Sequence, residues 1–186
     1  MTDKKAKTTF KRSHLIVFLS CLVLSALIGV TYYLQTDQRT SALAYYEDQQ
    51  ISLKAASPDT VGRDYVVSRS DLMQLQTQTI SATRRTSTGE VSEHVYEGIL
   101  LRDLLKAYHL AEDDFEQAII SAVDGYQTIL PLQRIYEQDH VFLVFIENGL
   151  PLRDRSQKGD GPYMLVILEE AFSQSWCKYV VEVSLQ

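Results

Sequence analysis

Cysteine is scarce in this chain of 186 residues: there are two, with four prolines and one tryptophan. Cys21 lies in an uncharged run near the N terminus and Cys177 is the single thiol after it, so no disulfide can close within the part that follows. The clustered Cys and His ligands of structural zinc and iron–sulfur sites are missing for the same reason. No P-loop, dinucleotide fingerprint or G-x-S-x-G elbow occurs. His94, His109 and His140 stand far apart without an i, i+4 pair, and read as surface or helix-end residues. The carboxylates Glu112, Asp113, Asp114 and Glu116 read as a solvated loop. Positive charge is also short, with 18 Lys and Arg against 24 Asp and Glu and a net charge of −6. A nucleic-acid partner is therefore not expected.

What basic charge there is gathers at the N terminus. Residues 1–14 carry Lys4, Lys5, Lys7, Lys11 and Arg12 against Asp3, five minus one or a net +4, which leaves −10 for the rest of the chain. Directly behind them, residues 15–34 (LIVFLSCLVLSALIGVTYYL) contain no charge at all. Twenty helical residues rise about 30 Å, the thickness of a bilayer's hydrocarbon core. Tyr32 and Tyr33 suit the membrane interface, and the basic tail should stay cytoplasmic. The segment thus predicts a single-pass signal anchor in the cytoplasmic membrane. Its C-terminal part would be extracytoplasmic, and periplasmic where an outer membrane exists. Three rivals fit less well. A cleaved signal peptide needs a shorter apolar core with a small-residue site close behind, and Ala42-Leu43-Ala44 lies some way downstream. A lipoprotein site at Cys21 would have few apolar residues before it. A buried core helix would show one apolar stripe, not apolar residues all round.

Residues 35–48 predict a polar stalk and 49–186 one exported domain. Strand composition recurs at Ile51–Lys54, Asp64–Ser68 and in QTISATRRTS, with Ser70 a candidate cap for a short helix. HVYEGILL runs from strand into helix, and Leu101, Leu104 and Leu105 place one apolar face on LLRDLLKAYHL. AIISAV is a strand ending at Asp124-Gly125-Tyr126, and Pro131 is placed to open a short helix, LQRIYEQ. VFLVFIE is the most strand-like segment, closed by an Asn148-Gly149 turn, and MLVIL and YVVEVSL are two further strands. The class is α+β: a mixed, mostly antiparallel sheet with short helices.

Two places draw attention as sites on chemistry alone. Arg84 and Arg85 end a strand in an acidic domain, where paired guanidinium groups can hold an anion bidentately or neutralise nearby carboxylates. At Asp124-Gly125-Tyr126, glycine permits either a close approach to a ligand or a plain turn. ENGLPLRDRSQKGDGPYMLVIL, residues 147–168, brackets a charged loop with glycines and poses the same choice between an anion cradle and a connection.

Taken in order, TISATRR, VYEGILLRDLL, AVDGYQTILPL, VFLVFIENGLPL, GDGPYMLVI and WCKYVVEVSL resemble the molybdopterin-binding domain of the sulfite oxidase family, above all its small, single-domain exported members. The likeness runs from about residue 65 to 186. It implies a compact α+β fold with the pterin held along loops at one sheet edge. In catalytic members a cysteine thiolate binds molybdenum, and the matching stretch here is Ser81-Ala82-Thr83-Arg84-Arg85. A serine stands where the soft ligand is expected, and its hydroxyl is a poor substitute. Met164 stands where the family places an arginine, whereas Lys178 matches a basic residue near the domain's end. The resemblance implies a ligand- or cofactor-binding set of Ser81, Arg84, Arg85, Asp124, Tyr126 and Lys178, with no catalytic residue and no metal ligand. Two functions follow as expectations. One is a cofactor-free module that binds a ligand or regulates a membrane-bound receptor or signalling partner. The other is a molybdopterin-dependent oxidoreductase passing electrons to an exported or membrane redox partner.

Overall fold

The computed structural model describes residues 20–34, 36, 49–56, 62–86, 88–110, 114–137, 139–170 and 173–186, in two compact units, Met1–Ser41 and Ala42–Gln186. In the first, residues 20–34 form helix α1, with Leu22, Val23, Leu24, Leu27, Ile28 and Val30 all exposed. Its hydroxyls turn back onto the helix: Ser25 donates to Leu22 O at 2.9 Å and Thr31 to Leu27 O at 3.0 Å. Among the described residues no helix is long and apolar enough to cross a membrane. Residues 15–19 of the apolar run, the basic tail and the stalk apart from Thr36 lie outside the described residues.

The second unit holds two five-stranded sheets. β1 (Gln50–Ala55) lies between β2 (Arg63–Ser68), antiparallel, and β10 (Val180–Leu185), parallel. β5 (Gln117–Ala122) and β6 (Gln127–Pro131) complete this sheet as an antiparallel hairpin beside β10. The other sheet runs β3 (Gln78–Arg85), β4 (Val91–Leu100), β7 (Val141–Glu147), whose far edge takes both β8 (Leu150–Pro151) and β9 (Met164–Ile167). Every pairing here except β1–β10 is antiparallel, as the α+β reading expects.

The strand patterns obey the period of two. β1 reads exposed–buried in alternation, whereas β9 and the first five residues of β7 are buried and apolar throughout because both of their faces are covered. Helix α2 (Arg69–Leu72) is capped by Ser68 and not Ser70. Asp71 returns the bond in a capping box, which draws its carboxyl below the usual range through the Ser68 hydroxyl and amide. Helix α3 (Leu101–Ala107) buries the predicted Leu101, Leu104 and Leu105. The short helix expected after Pro131 is α4 (Leu132–Glu137), while Pro131 itself closes β6, a strand the sequence reading did not name. Gly98 marks the irregularity in the β4–β7 register, where any Cβ would run into the backbone of Leu143 and Val144.

Candidate functional site

β3 is the outer strand of its sheet, and the chain after β9 returns to it: Arg85 N–H donates to Ser173 Oγ at 2.9 Å. A cavity of about 730 Å³ opens between the two segments, with Ser81, Thr83 and Arg85 on one wall and Leu168, Glu169 and Trp176 on the other. The wall is firmly held. Trp176 Nε1 donates to Ile167 O at 2.9 Å, and its ring meets Tyr96 edge-on at 6.0 Å. Glu170, also lining the cavity, is bound by Arg134 at 2.7 Å and accepts the Ser175 hydroxyl.

Strand parity divides the residues that the sequence grouped. Ser81 and Arg85 share the face that opens on the cavity. Arg84 alternates to the other face of the strand, the side of the buried Ala82, which also borders the cavity. There Arg84 Nη1 meets Asp160 Oδ2 at 2.7 Å, while Lys178 Nζ meets Asp160 Oδ1 at 2.8 Å. One carboxylate therefore binds both cations, one on each oxygen. Asp124 and Tyr126 form a third group, in the β5–β6 turn. Asp124 Oδ1 accepts Tyr126 N–H at 3.2 Å, Gly125 takes φ 86°, and Tyr126 O–H donates to Gln174 O at 2.5 Å. The Asp-Gly-Tyr segment is thus a turn that braces the 173–175 segment, and these six residues do not converge on one pocket.

The glycine loop has a similar answer. Gly159 N–H is bonded to Asp154 O and Gly161 N–H to Arg153 O, both at 2.8 Å. A Cβ at Gly159 would meet Arg153 O, and one at Gly161 would lie 2.5 Å from Leu152 Cβ. Glycine is needed for this close approach of two chain segments, and the amides a cradle would offer an anion are already used. What the loop presents is Asp160, whose carbonyl is also held by Tyr179 N–H at 3.1 Å. Met164 is fully buried in β9. The arginine expected there from the resemblance would enter the core, so this position is no lost anion contact.

A second polar group went unnoticed in the sequence. On β4, Ser92 Oγ lies 2.7 Å from His94 Nε2, and His94 Nδ1 lies 2.8 Å from Glu147 Oε1 of β7. The His94 ring stacks on Tyr96 at 5.7 Å. Burial, then the Glu147 charge, pushes the Tyr96 phenol well above its ordinary range. Serine and histidine two apart on a strand share a face; the sequence reading began that strand at His94 and so left Ser92 out.

A family model described as the oxidoreductase molybdopterin binding domain matches residues 54–186, well over half of the chain. The chain belongs to this family. Among solved structures it is similar to the sulfane dehydrogenase SoxCD from Paracoccus pantotrophus, with a TM-score of 0.61 and 17% identity. That similarity covers 75% of this chain and 38% of the SoxCD chain, and at such identity it speaks for the fold. A search of curated proteins finds no match.

The family implies a molybdenum cofactor, and the donor set can be tested against it. At the cavity the residue in the ligand's place is Ser81, a hydroxyl. Cys177 is fully buried, its Sγ directed to Ile120 O at 3.8 Å, and burial followed by the Asp124 charge pushes the thiol up to about 12. A protonated core thiol is not a metal ligand. Among the described residues no group of three or more His, Cys, Asp or Glu is placed to hold a metal. The residues present do not fit a thiolate-bound molybdenum centre.

Proposed function

We propose that this domain of the molybdopterin-binding family works without molybdenum redox chemistry, as a ligand-binding or partner-regulating module held at the outer face of the cytoplasmic membrane by residues 15–34. One observation carries the reading: the cavity wall offers the Ser81 hydroxyl, while the domain's single thiol, Cys177, points into the core. Binding of both Arg84 and Lys178 by Asp160 supports it, since the cations that would meet a pterin phosphate are already engaged by one carboxylate from within. The partner would be a membrane-bound receptor, signalling or redox protein.

Full-length protein purified from the membranes of a host that makes the cofactor should contain neither molybdenum by metal analysis nor pterin by fluorescence. Stoichiometric molybdenum would sink the proposal. Protease added outside intact spheroplasts should remove residues 49–186, and protection of that domain would overturn the assigned topology. The family match over 54–186 favours the second reading, a molybdopterin-dependent oxidoreductase. In that case pterin would be recovered with the protein, and replacing Arg84 or Lys178 would lose it.

A further inference from the structure

The arrangement at Ser92 has the parts of an activated nucleophile: a hydroxyl within hydrogen-bond reach of a base, and a carboxylate beside the base's other nitrogen. With the Nδ1 proton turned toward Glu147, His94 Nε2 accepts the Ser92 O–H at 2.7 Å. Glu147 Oε1 lies 2.8 Å from Nδ1, out of line for a hydrogen bond in this geometry, and its charge faces the ring; apo geometries of this kind tighten when substrate binds. The His94 and Glu147 side chains are about one-fifth and one-quarter exposed, at 19% and 26%, and Ser92 is half-buried. The hydroxyl is therefore neither sealed in the core nor free in water.

The surroundings supply what an oxyanion needs. β4 pairs with β7 only from Tyr96 onward, so residues 91–95 extend beyond the end of β7. Val95 N–H points out of that edge, to Asn148 Oδ1 at 3.0 Å. By the alternation of an antiparallel strand, Glu93 N–H points the same way, and it is the amide next to Ser92. Such an amide is the common oxyanion donor of serine acyl transfer. Arg84 stands directly opposite Ser92 in the β3–β4 register, with its Nη1 bound to Asp160.

We propose that Ser92, His94 and Glu147 form a nucleophile, base and positioning carboxylate that take an acyl group from a small ester, a chemistry separate from the cavity and from the family's pterin. Ser92 Oγ attacks the acyl carbon while its proton passes to His94 Nε2. The tetrahedral oxyanion collapses, and the departing alcohol takes that proton. Water, deprotonated at the same nitrogen, then cleaves the acyl-serine bond to release the acid. Arg84 and Lys178 share the single carboxylate of Asp160, and the net positive charge left beside Ser92 favours an acyl group carrying a carboxylate.

A fluorophosphonate probe tests this on the full-length protein in detergent: the Ser92 oxygen–phosphorus bond forms, fluoride leaves and the proton goes to His94. The expected result is one adduct per chain, mapped to Ser92 by mass spectrometry and lost in Ser92→Ala and in the chain unfolded in urea. His94→Ala should react about 10²- to 10⁴-fold more slowly, and Glu147→Asp should recover part of the rate that Glu147→Ala loses. Hydrolysis of p-nitrophenyl acetate should disappear with Ser92→Ala. Absence of an adduct, an adduct on another residue, equal labelling of native and unfolded chain, or wild-type labelling of a folded His94→Ala variant would each overturn the proposal.

Discussion

Replacing Asp160 by asparagine removes one charge with almost no change of shape, and it probes the point where fold and ligand chemistry meet. Arg84 and Asp160 are 20% and 16% exposed, and Lys178 is 39% exposed. A unit-charge pair near 4 Å is worth about 4 kcal/mol gross at an effective dielectric constant of about 20. Desolvation offsets most of that. A charge-assisted hydrogen bond retains roughly 1.5–3 kcal/mol, applied here to the Arg84 contact, and the more exposed Lys178 contact adds about 0–1 kcal/mol. Asp160→Asn should therefore cost about 2–4 kcal/mol. At roughly 2–4 °C per kcal/mol for a domain of this size, the melting temperature falls by about 5–15 °C.

The same substitution leaves two cations facing each other, and inorganic phosphate should then restore stability to the variant. Phosphate at about ten times its dissociation constant returns roughly 1.4 kcal/mol. The assay is thermal unfolding of wild type and variant in a phosphate series, with ionic strength held by chloride. If the variant melts within a degree or so of wild type, or phosphate raises both proteins equally, the claim that Asp160 holds the two cations is wrong.

Other substitutions test separate steps. Met164→Arg, which places the family's arginine in this chain, buries an unpaired charge in β9 and should cost more than about 3 kcal/mol; a folded variant with unchanged melting would contradict the core assignment. Gly98→Ala forces a Cβ against the Leu143 and Val144 backbone and should cost roughly 1–3 kcal/mol in urea unfolding; an unchanged midpoint would refute that contact. In a Cys21→Ser background, Cys177 should react with a maleimide only after unfolding, and rapid modification of the native protein would deny its burial. The folded Cys177 thiol titrates at about 12 against an ordinary 9.0, so the native state keeps its proton longer. Its contribution to stability is complete below about pH 9 and is lost as pH rises toward 12. Cys177→Ala should flatten the stability profile in that window, and superimposable profiles would count against the shift.

Much of the fold was readable because periodicity and turn chemistry agree with it. The alternation in β1, the leucine face of α3 and the Asn148-Gly149 turn each name their element without tertiary help. β6 escaped because Pro131 at its end read as the opening of a helix, although proline is tolerated at a strand's end on a sheet edge. The site was legible only in part. Ser81 and Arg84 stand three apart in one strand, and an odd spacing sends them to opposite faces; that parity was available in the sequence. Asp160, in contrast, meets Arg84 across 76 residues, and Glu147 reaches His94 only through the β4–β7 pairing. Local patterns carry no term for such contacts.

Asp160 also decides what kind of anion the domain could accept. Bonds to Arg153 O, Asp154 O and Tyr179 N–H fix the backbone on both sides of it, so an incoming anion can displace only the side chain. A tethered carboxylate competes at the high effective concentration of an intramolecular group. A free monoanion in solution would seldom win against it. A ligand that does must bring further contacts at the same time, and the nearest source is the cavity on the other face of β3, where Arg85 and Ser81 stand beside Trp176. On the proposed binding role, a ligand would have to engage both the ion triad and the cavity, which favours an extended molecule with an anionic end over a small ion.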